Sequence, residues 1–256
     1  MIHPTAIIHP KACLGERLEI GPYAVIGEHV EIGNDCRIGP HVVIEGRTRI
    51  GHQNTISQFC SLGGAPQDKK YDGEATCLEI GDRNTIREFC TFNLGTVQDE
   101  GITRVGSDNW IMAYVHVAHD CVVGNNTIFA NYAALAGHAE VGDWAILGGF
   151  AAVHQFCRIG AHSFCGVNAV VLQDVPPYVT VAGNPAKPHG INSEGLRRRG
   201  YTAEAIAAIK RAYRTLYRSG LRLEEARSQI DEIAGEYDQV KLLADFISHR
   251  GRGIVR

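Results

Sequence analysis

No Cys-x-x-Cys pair occurs in this sequence although it holds eight cysteines, and that absence sets aside zinc-ribbon and redox-motif readings. A secretion signal is missing too. Met1-Ile2-His3-Pro4-Thr5 has no basic region leading into an apolar core, so a secreted disulfide framework is not expected and the cytoplasm is the expected location. Long apolar runs are also absent. The longest stretch without Asp, Glu, Lys or Arg, Cys121 to Ala139, includes Gly124, Asn125, Asn126, Asn131, Gly137 and His138, a poor surface for lipid, so no membrane insertion is expected. Positive charge is not in excess: the formal net charge is −3, which argues against a general nucleic-acid binder. The charge is uneven, however, because residues 192–256 carry 13 Lys+Arg against 9 Asp+Glu.

A six-residue repeat fills most of the chain. Every sixth position from Ile2 is aliphatic: Ile2, Ile8, Leu14, Ile20, Ile26, Ile32, Ile38, Ile44, Ile50, Ile56 and Leu62. With about a quarter of residues branched aliphatic, chance gives such a run with a probability on the order of 10⁻⁷. Ile80, Ile86 and Phe92 keep this phase, and a second run from Val105 continues through Val117, Leu135 and Val153 to Val171. A helix needs apolar residues every three to four positions, whereas a period of six means strand, turn and strand again. Three hexads make one coil of a prism, whose inward residues stack on equivalents eighteen positions away.

The place after the aliphatic residue is often glycine, as at Gly15, Gly21, Gly27, Gly33, Gly39, Gly51 and Gly63. These glycines are expected to ease the corners through positive φ. Cys36, Cys60, Cys90, Cys121 and Cys157 share the fifth place of their hexads, where Ala24, Val30 and Val42 stand elsewhere. They read as inward packing groups rather than nucleophiles. The repeat breaks at 64–79 and 93–104, and such excursions are where binding groups concentrate. After residue 190 the pattern turns helical, with Thr202 as N-cap, Gly220 as stop, and Ile206, Ile209, Tyr213, Leu216 and Tyr217 on one face. The expected organisation is a mainly β parallel β-helix over 1–190 and an α-helical domain over 191–256 that caps the open end.

The chemistry-bearing groups cluster in the second run as His116, His119, Asp120, His138 and His154. A carboxylate beside an imidazole holds one tautomer and favours the imidazolium formed during proton abstraction. Three histidines on stacked coils of neighbouring subunits also suit zinc with a bound water, the layout of hexapeptide-repeat carbonic anhydrases. Spacing leaves both readings open.

Further motifs narrow the choice: Gln67-Asp68-Lys69-Lys70-Tyr71, Val117-Ala118-His119-Asp120-Cys121, Leu135-Ala136-Gly137-His138, Ala152-Val153-His154-Gln155-Phe156, Gln173-Asp174-Val175-Pro176-Pro177-Tyr178, and Asn192-Ser193-Glu194-Gly195-Leu196-Arg197-Arg198-Arg199-Gly200. With these the chain resembles, over nearly its whole length, the UDP-N-acetylglucosamine acyltransferase family of lipid A synthesis. The resemblance implies a left-handed β-helix, a homotrimer with sites between subunits, and no cofactor or metal. It implies transfer of a 3-hydroxyacyl chain from acyl carrier protein to the 3-position of a UDP-sugar. His119 would be the general base, Asp120 its orienter, and the Gly137 N–H the oxyanion donor. Asp68, Lys70, Tyr71, His116, His138, His154 and Gln155 would hold sugar, phosphates and acyl chain, while Asn192, Glu194, Arg198 and Arg199 would reach the nucleotide. The basic tail suits an acidic carrier protein.

Two departures from the family's pattern carry expectations of their own. Asn93-Leu94-Gly95-Thr96 stands where many members have His-Arg-Gly before Thr, which raises a 3-amino sugar, and hence an amide product, as an alternative to the ester. Val167 stands where some relatives have glycine, so either a shorter acyl preference or packing between coils is expected there.

Overall fold

The computed structural model describes residues 1–249 and 251–256. Short strands, most of two residues, pair in parallel one coil apart: Ile8 with Ile26, Ile26 with Ile44, and Ile44 with Leu62. Among the described residues the outcome is three sheets of nine, eight and ten strands. Sheet 1 runs from Ile7–Ile8 to Val170–Val171 and sheet 2 from Cys13–Leu14 to Arg158–Ile159. Sheet 3 runs from Glu19–Ile20 to Phe164–Cys165 and adds Val179–Ala182 and the antiparallel Lys187–Ile191. First-place residues such as Ile26, Ile44, Leu62, Phe92 and Leu135 are buried. Each contributes roughly 1.5–3 kcal/mol of apolar burial, but only because the coils above and below cover it.

The corners differ from expectation. The left-handed place is the fourth of each hexad and is filled by ordinary residues, among them Tyr23 (φ 57°), Phe89 (60°), Asp120 (59°) and His138 (61°). Of the second-place glycines named above, only Gly63 has positive φ. Their reason is space. A Cβ on Gly21 would lie 2.7 Å from the Pro40 nitrogen, and one on Gly106 would lie 2.6 Å from the Gly124 carbonyl oxygen.

The fifth places pack as expected. Cys36, Cys60, Cys90, Cys121 and Cys157 are buried, and burial pushes the Cys121 thiol up to about 12 and that of Cys157 up to about 11. On the edge between sheets 2 and 3, over the coils from Asn54 to Thr127 that follow Cys36, the fifth place is instead a buried polar ladder. Asn54 Oδ1 accepts the Asn84 N–H at 2.9 Å, Asn84 Oδ1 that of Asn109 at 2.9 Å, and Asn109 Oδ1 that of Thr127 at 2.7 Å.

Both breaks in the repeat leave the same edge, between sheets 1 and 2, on successive coils. They are residues 65–76 and 94–101, shorter than the sequence suggests because strands Ser61–Gly64, Cys77–Ile80, Thr91–Asn93 and Ile102–Val105 run into them. After Asn192 the described residues form four helices, α1 (Ser193–Arg198), α2 (Ala203–Arg218), α3 (Leu223–Glu236) and α4 (Asp238–Ser248). Thr202 caps α2 by accepting the Ala205 N–H at 3.2 Å. The helices share an apolar cluster with Tyr178, whose hydroxyl donates to the Gln239 carbonyl at 2.7 Å, so they cover the last coils. No helix among the described residues is long and apolar enough to cross a membrane.

Crowding at second places predicts that Gly106→Ala lowers stability by about 2 kcal/mol. Gly27, whose Cβ would meet Glu45 Cα at 3.2 Å, tolerates alanine at less than half that cost, offset by the stiffer unfolded chain. Equal losses in denaturant melts would refute the spatial account of these glycines.

Candidate active site

On the edge between sheets 1 and 2, three consecutive coils present Ala118 to Cys121, Ala136 to Ala139, and His154 to Cys157. Equivalent places stack, so Gly137 lies beside His119 and His138 lies on Phe156. A Cβ at residue 137 would stand 2.5 Å from His119 Cε1 and 2.7 Å from Nε2, so only glycine lets the imidazole lie there. Among the described residues the Gly137 N–H donates no hydrogen bond.

The His119 ring donates from Nδ1 to Asp120 Oδ2 at 2.8 Å. Loop 94–101 folds over the carboxylate: the Thr96 N–H donates to Oδ1 at 2.7 Å and its hydroxyl to Oδ2 at 2.6 Å. The Asp120 side chain is 1% exposed. A buried carboxylate is tolerable because it accepts three hydrogen bonds. Its acceptance from Nδ1 fixes the tautomer, leaving His119 Nε2 as the basic nitrogen.

His138 stacks on Phe156 with centroids 4.4 Å apart and meets the His119 ring edge-on at 5.2 Å. Its Nδ1 lies 2.8 Å from Asp99 Oδ2. His116, on sheet 1, pairs through Nδ1 with the Thr91 hydroxyl at 2.8 Å, and burial depresses its pKa. His154 Nδ1 lies 3.2 Å from the Gln155 carbonyl oxygen. In loop 65–76, Asp68 Oδ1 accepts the Lys70 N–H at 3.0 Å and the Tyr71 hydroxyl donates to the Glu74 carbonyl at 2.9 Å. Asp68, Lys70, Tyr71, His116, His154 and Gln155 therefore belong to the His119 edge or the sheet beside it.

The other predicted residues do not. Asn192 caps α1 by accepting the Gly195 N–H at 3.0 Å and donates to the His162 carbonyl at 3.0 Å. Arg199 donates to the Trp144 carbonyl at 2.9 Å, and its guanidinium lies 5.1 Å over the Trp144 ring. Glu194 pairs with Arg198 at 3.0 Å and with Arg197 at 2.7 Å. Since Trp144 and His162 are corner residues between sheets 2 and 3, this group sits on a second edge. Val167 sits on the third, between sheets 3 and 1, and is 66% exposed; the alternative that it packs between coils is therefore corrected.

Asn93 and Leu94 are packing residues. Asn93 donates to the Ala65 carbonyl at 3.0 Å, tying one loop base to the other, and Leu94 is buried over Gly46. Asp99, Trp144 and His162 carry no signal in the sequence motifs, and Thr96 and Phe156 stand within motifs that give them no role. For Thr96 and Asp99 the only signal was their place in a break; the path of the loop decides what they touch.

One atom each of His119, Asp120 and His138 lie within 4.8 Å of one another, a set able to hold a metal ion. The set differs from the three histidines considered above. Within it, His119 Nδ1 and Asp120 Oδ2 face each other, and Thr96 takes up two more of the carboxylate's acceptor sites. The arrangement is that of a hydrogen-bonded base and its orienting acid.

Burial and the nearby Arg199 push the His162 imidazole down to about 4, from an ordinary value of 6.5. The unfolded chain therefore takes up this proton first as pH falls. The stability tied to neutral His162 is full above about pH 6.5 and is lost progressively towards pH 4. His162→Gln should flatten that part of the pH–stability curve; an unchanged curve would contradict the assignment.

Residues 174–255 match the family described as Udp N-acetylglucosamine O-acyltransferase, Domain 2, and residues 14–46 and 102–137 match bacterial transferase hexapeptide repeats. An acyl-[acyl-carrier-protein]--UDP-N-acetylglucosamine O-acyltransferase of Thiobacillus denitrificans is 63% identical, covering 100% of this chain and 99% of that protein. The crystal structure of the Francisella novicida UDP-N-acetylglucosamine acyltransferase superposes with a TM-score of 0.98 at 43% identity, covering 100% of this chain and 94% of that one. The UDP-N-acetylglucosamine O-acyltransferase of Moraxella catarrhalis gives 0.97 at 47% identity, covering 100% and 99%. The prism is thus a left-handed parallel β-helix, and the chain belongs to the UDP-N-acetylglucosamine O-acyltransferase family.

Proposed function

We propose that this chain moves a 3-hydroxyacyl group from acyl carrier protein to the 3-hydroxyl of UDP-N-acetylglucosamine, opening lipid A synthesis in the cytoplasm. The observation that carries this reading is the His119 and Asp120 pair beside the unengaged Gly137 N–H. His119 Nε2 takes the proton of the sugar hydroxyl as its oxygen attacks the thioester carbonyl. Negative charge develops on the carbonyl oxygen, where a fixed N–H donor such as that of Gly137 stabilises it. Collapse of the intermediate forms the ester and expels the carrier's thiolate, which receives the proton held on His119. An ester rather than an amide fits the buried, structural role of Asn93 and the O-acyltransferases that the chain is similar to.

Substrate contacts are assigned by edge. Asp68, Lys70, Tyr71, His116, His138, His154 and Gln155 surround the sugar, phosphates and start of the acyl chain. Asn192, Glu194, Arg198 and Arg199 serve the nucleotide from the neighbouring subunit, where arginine's planar fork suits phosphate oxygens.

A homotrimer accounts for this division. The outward side of sheet 2 alternates charge, with Arg49 between Glu31 (3.4 Å) and Glu79 (3.8 Å) and Arg104 beyond Glu79 (3.9 Å). Sheet 1 carries no charged residue besides His116 and shows Val25, Val43, Ala134, Ala152 and Val170 beside Ser61 and Thr91, and sheet 3, after Glu19 and Arg37 in its first coils, shows Trp110, Ile128, Ile146 and Phe164. Between sheets 3 and 1 runs an exposed ladder of stacked rings, Tyr23, His41, Phe59, Phe89, Tyr114, Tyr132 and Phe150, with centroids 4.7–5.1 Å apart. Placing this ladder at a threefold axis sets sheet 1 against the neighbour's sheet 3 and leaves charged sheet 2 in water. The His119 edge of one subunit then faces the Arg199 edge of the next, with Val167 deeper in the cleft. The excess of Lys and Arg over residues 192–256 supports an approach of the acidic carrier protein to the helical region.

Transfer assays with carrier-bound acyl chains and UDP-N-acetylglucosamine test the reading. His119→Ala should reduce kcat by about 10²–10⁴-fold, and Gly137→Ala by about 10²-fold through displacement of the His119 ring. Full activity in either variant would overturn the assignment. Val167→Gly should lengthen the preferred acyl chain, and an unchanged preference would remove Val167 from the groove.

A further inference from the structure

Loop 94–101 contributes a second carboxylate to this edge. Asp99 Oδ2 lies 2.8 Å from His138 Nδ1, while its Oδ1 accepts the Glu100 N–H at 3.0 Å and its own N–H donates to the Thr96 carbonyl at 3.2 Å. The same short loop thus supplies Thr96 to Asp120 and Asp99 to His138. The Asp99 side chain is 46% exposed, so its contact with His138 is no requirement of core packing.

The His138 ring needs such a partner. Stacking on Phe156, with planes 12° apart, fixes the plane of the imidazole but does not choose between its two ring orientations or its tautomers. An acceptor at one nitrogen chooses both. With Asp99 at hydrogen-bond distance from Nδ1, the neutral ring keeps its proton there, because the other carboxylate, Asp120, already accepts three hydrogen bonds and stands beyond hydrogen-bond reach, 3.7 Å from Nε2. That nitrogen is turned towards the reacting side beside the His119 ring.

We infer that Asp99 is a positioning residue for His138: it holds the ring so that Nε2 faces the acceptor sugar next to the base, and it couples the seating of loop 94–101 to both imidazoles. The inference rests on the acyl-transfer reading for its kinetic consequence, but its structural part stands independently. Binding and orientation at His138 would then fail when the loop is displaced, even with the prism intact.

The test uses the full chain labelled with ¹⁵N-histidine, the His138 signals being assigned by their loss in His138→Gln. Unaltered protein should show the Nδ1–H tautomer at His138. Asp99→Ala should shift it towards the Nε2–H form and lower kcat on the order of tenfold, leaving the KM for the carrier-bound donor within about twofold. Asp99→Asn, which keeps an oxygen acceptor, should restore the tautomer and most of kcat. Either readout unmoved in Asp99→Ala overturns the inference. His119→Ala is the control: if it retains activity the transfer reading itself fails, whereas a silent Asp99→Ala beside an inactive His119→Ala removes only the role of Asp99.

Discussion

The molecule depends on coils stacking in register so closely that, at most corners where glycine holds the second place, a side chain has no room. Gly106 against Gly124 and Gly21 against Pro40 set that spacing. Once it is set, each place of a hexad becomes a column, and like groups meet like groups along an edge. The aliphatic core, the asparagine ladder, the stacked rings between sheets 3 and 1, and the charge alternation of sheet 2 are consequences of this one geometry. None of these columns could exist in an isolated coil, and so stability is collective.

The same geometry builds the candidate site. Residues eighteen positions apart along the chain become neighbours, which brings Gly137 beside His119 and His138 onto Phe156. What the regular columns cannot provide is a dry, hydrogen-bonded place for a carboxylate. Loop 94–101 provides it for Asp120 through the backbone and hydroxyl of Thr96, and so a departure from the repeat completes the pair to which we assign the chemistry. The division of the proposed substrate contacts over three edges has the same origin, because a convex prism cannot fold its own edges towards one ligand. In the proposed trimer a second copy brings them together.

How much of this the sequence carries follows from what is periodic. The strands, inward residues and buried cysteines are readable because each repeats with a fixed spacing. His119 with Asp120 is readable as a chemical pair, and the breaks as loops. The role of the glycines is not: a glycine is compatible with left-handed backbone or with close approach, and only the neighbouring coil distinguishes them. Contacts of Thr96, Asp99 and Asn93 depend on the path of an irregular loop, which no period describes. Val167 was ambiguous because an exposed and a packed valine look alike in a hexad. Its exposure on the edge between sheets 3 and 1 decides that question.

The central claim is that one reaction site combines the His119 edge of one subunit with the Arg199 edge of the next. Co-assembly of His119→Ala chains with Arg199→Ala chains in equal amounts tests it directly. Each variant alone should be inactive, yet a random mixture of trimers should recover about a quarter of full activity, because one ordered neighbour pairing in four joins two unaltered edges. Mixed trimers without any recovery would contradict a shared site and place both groups in the service of a single chain.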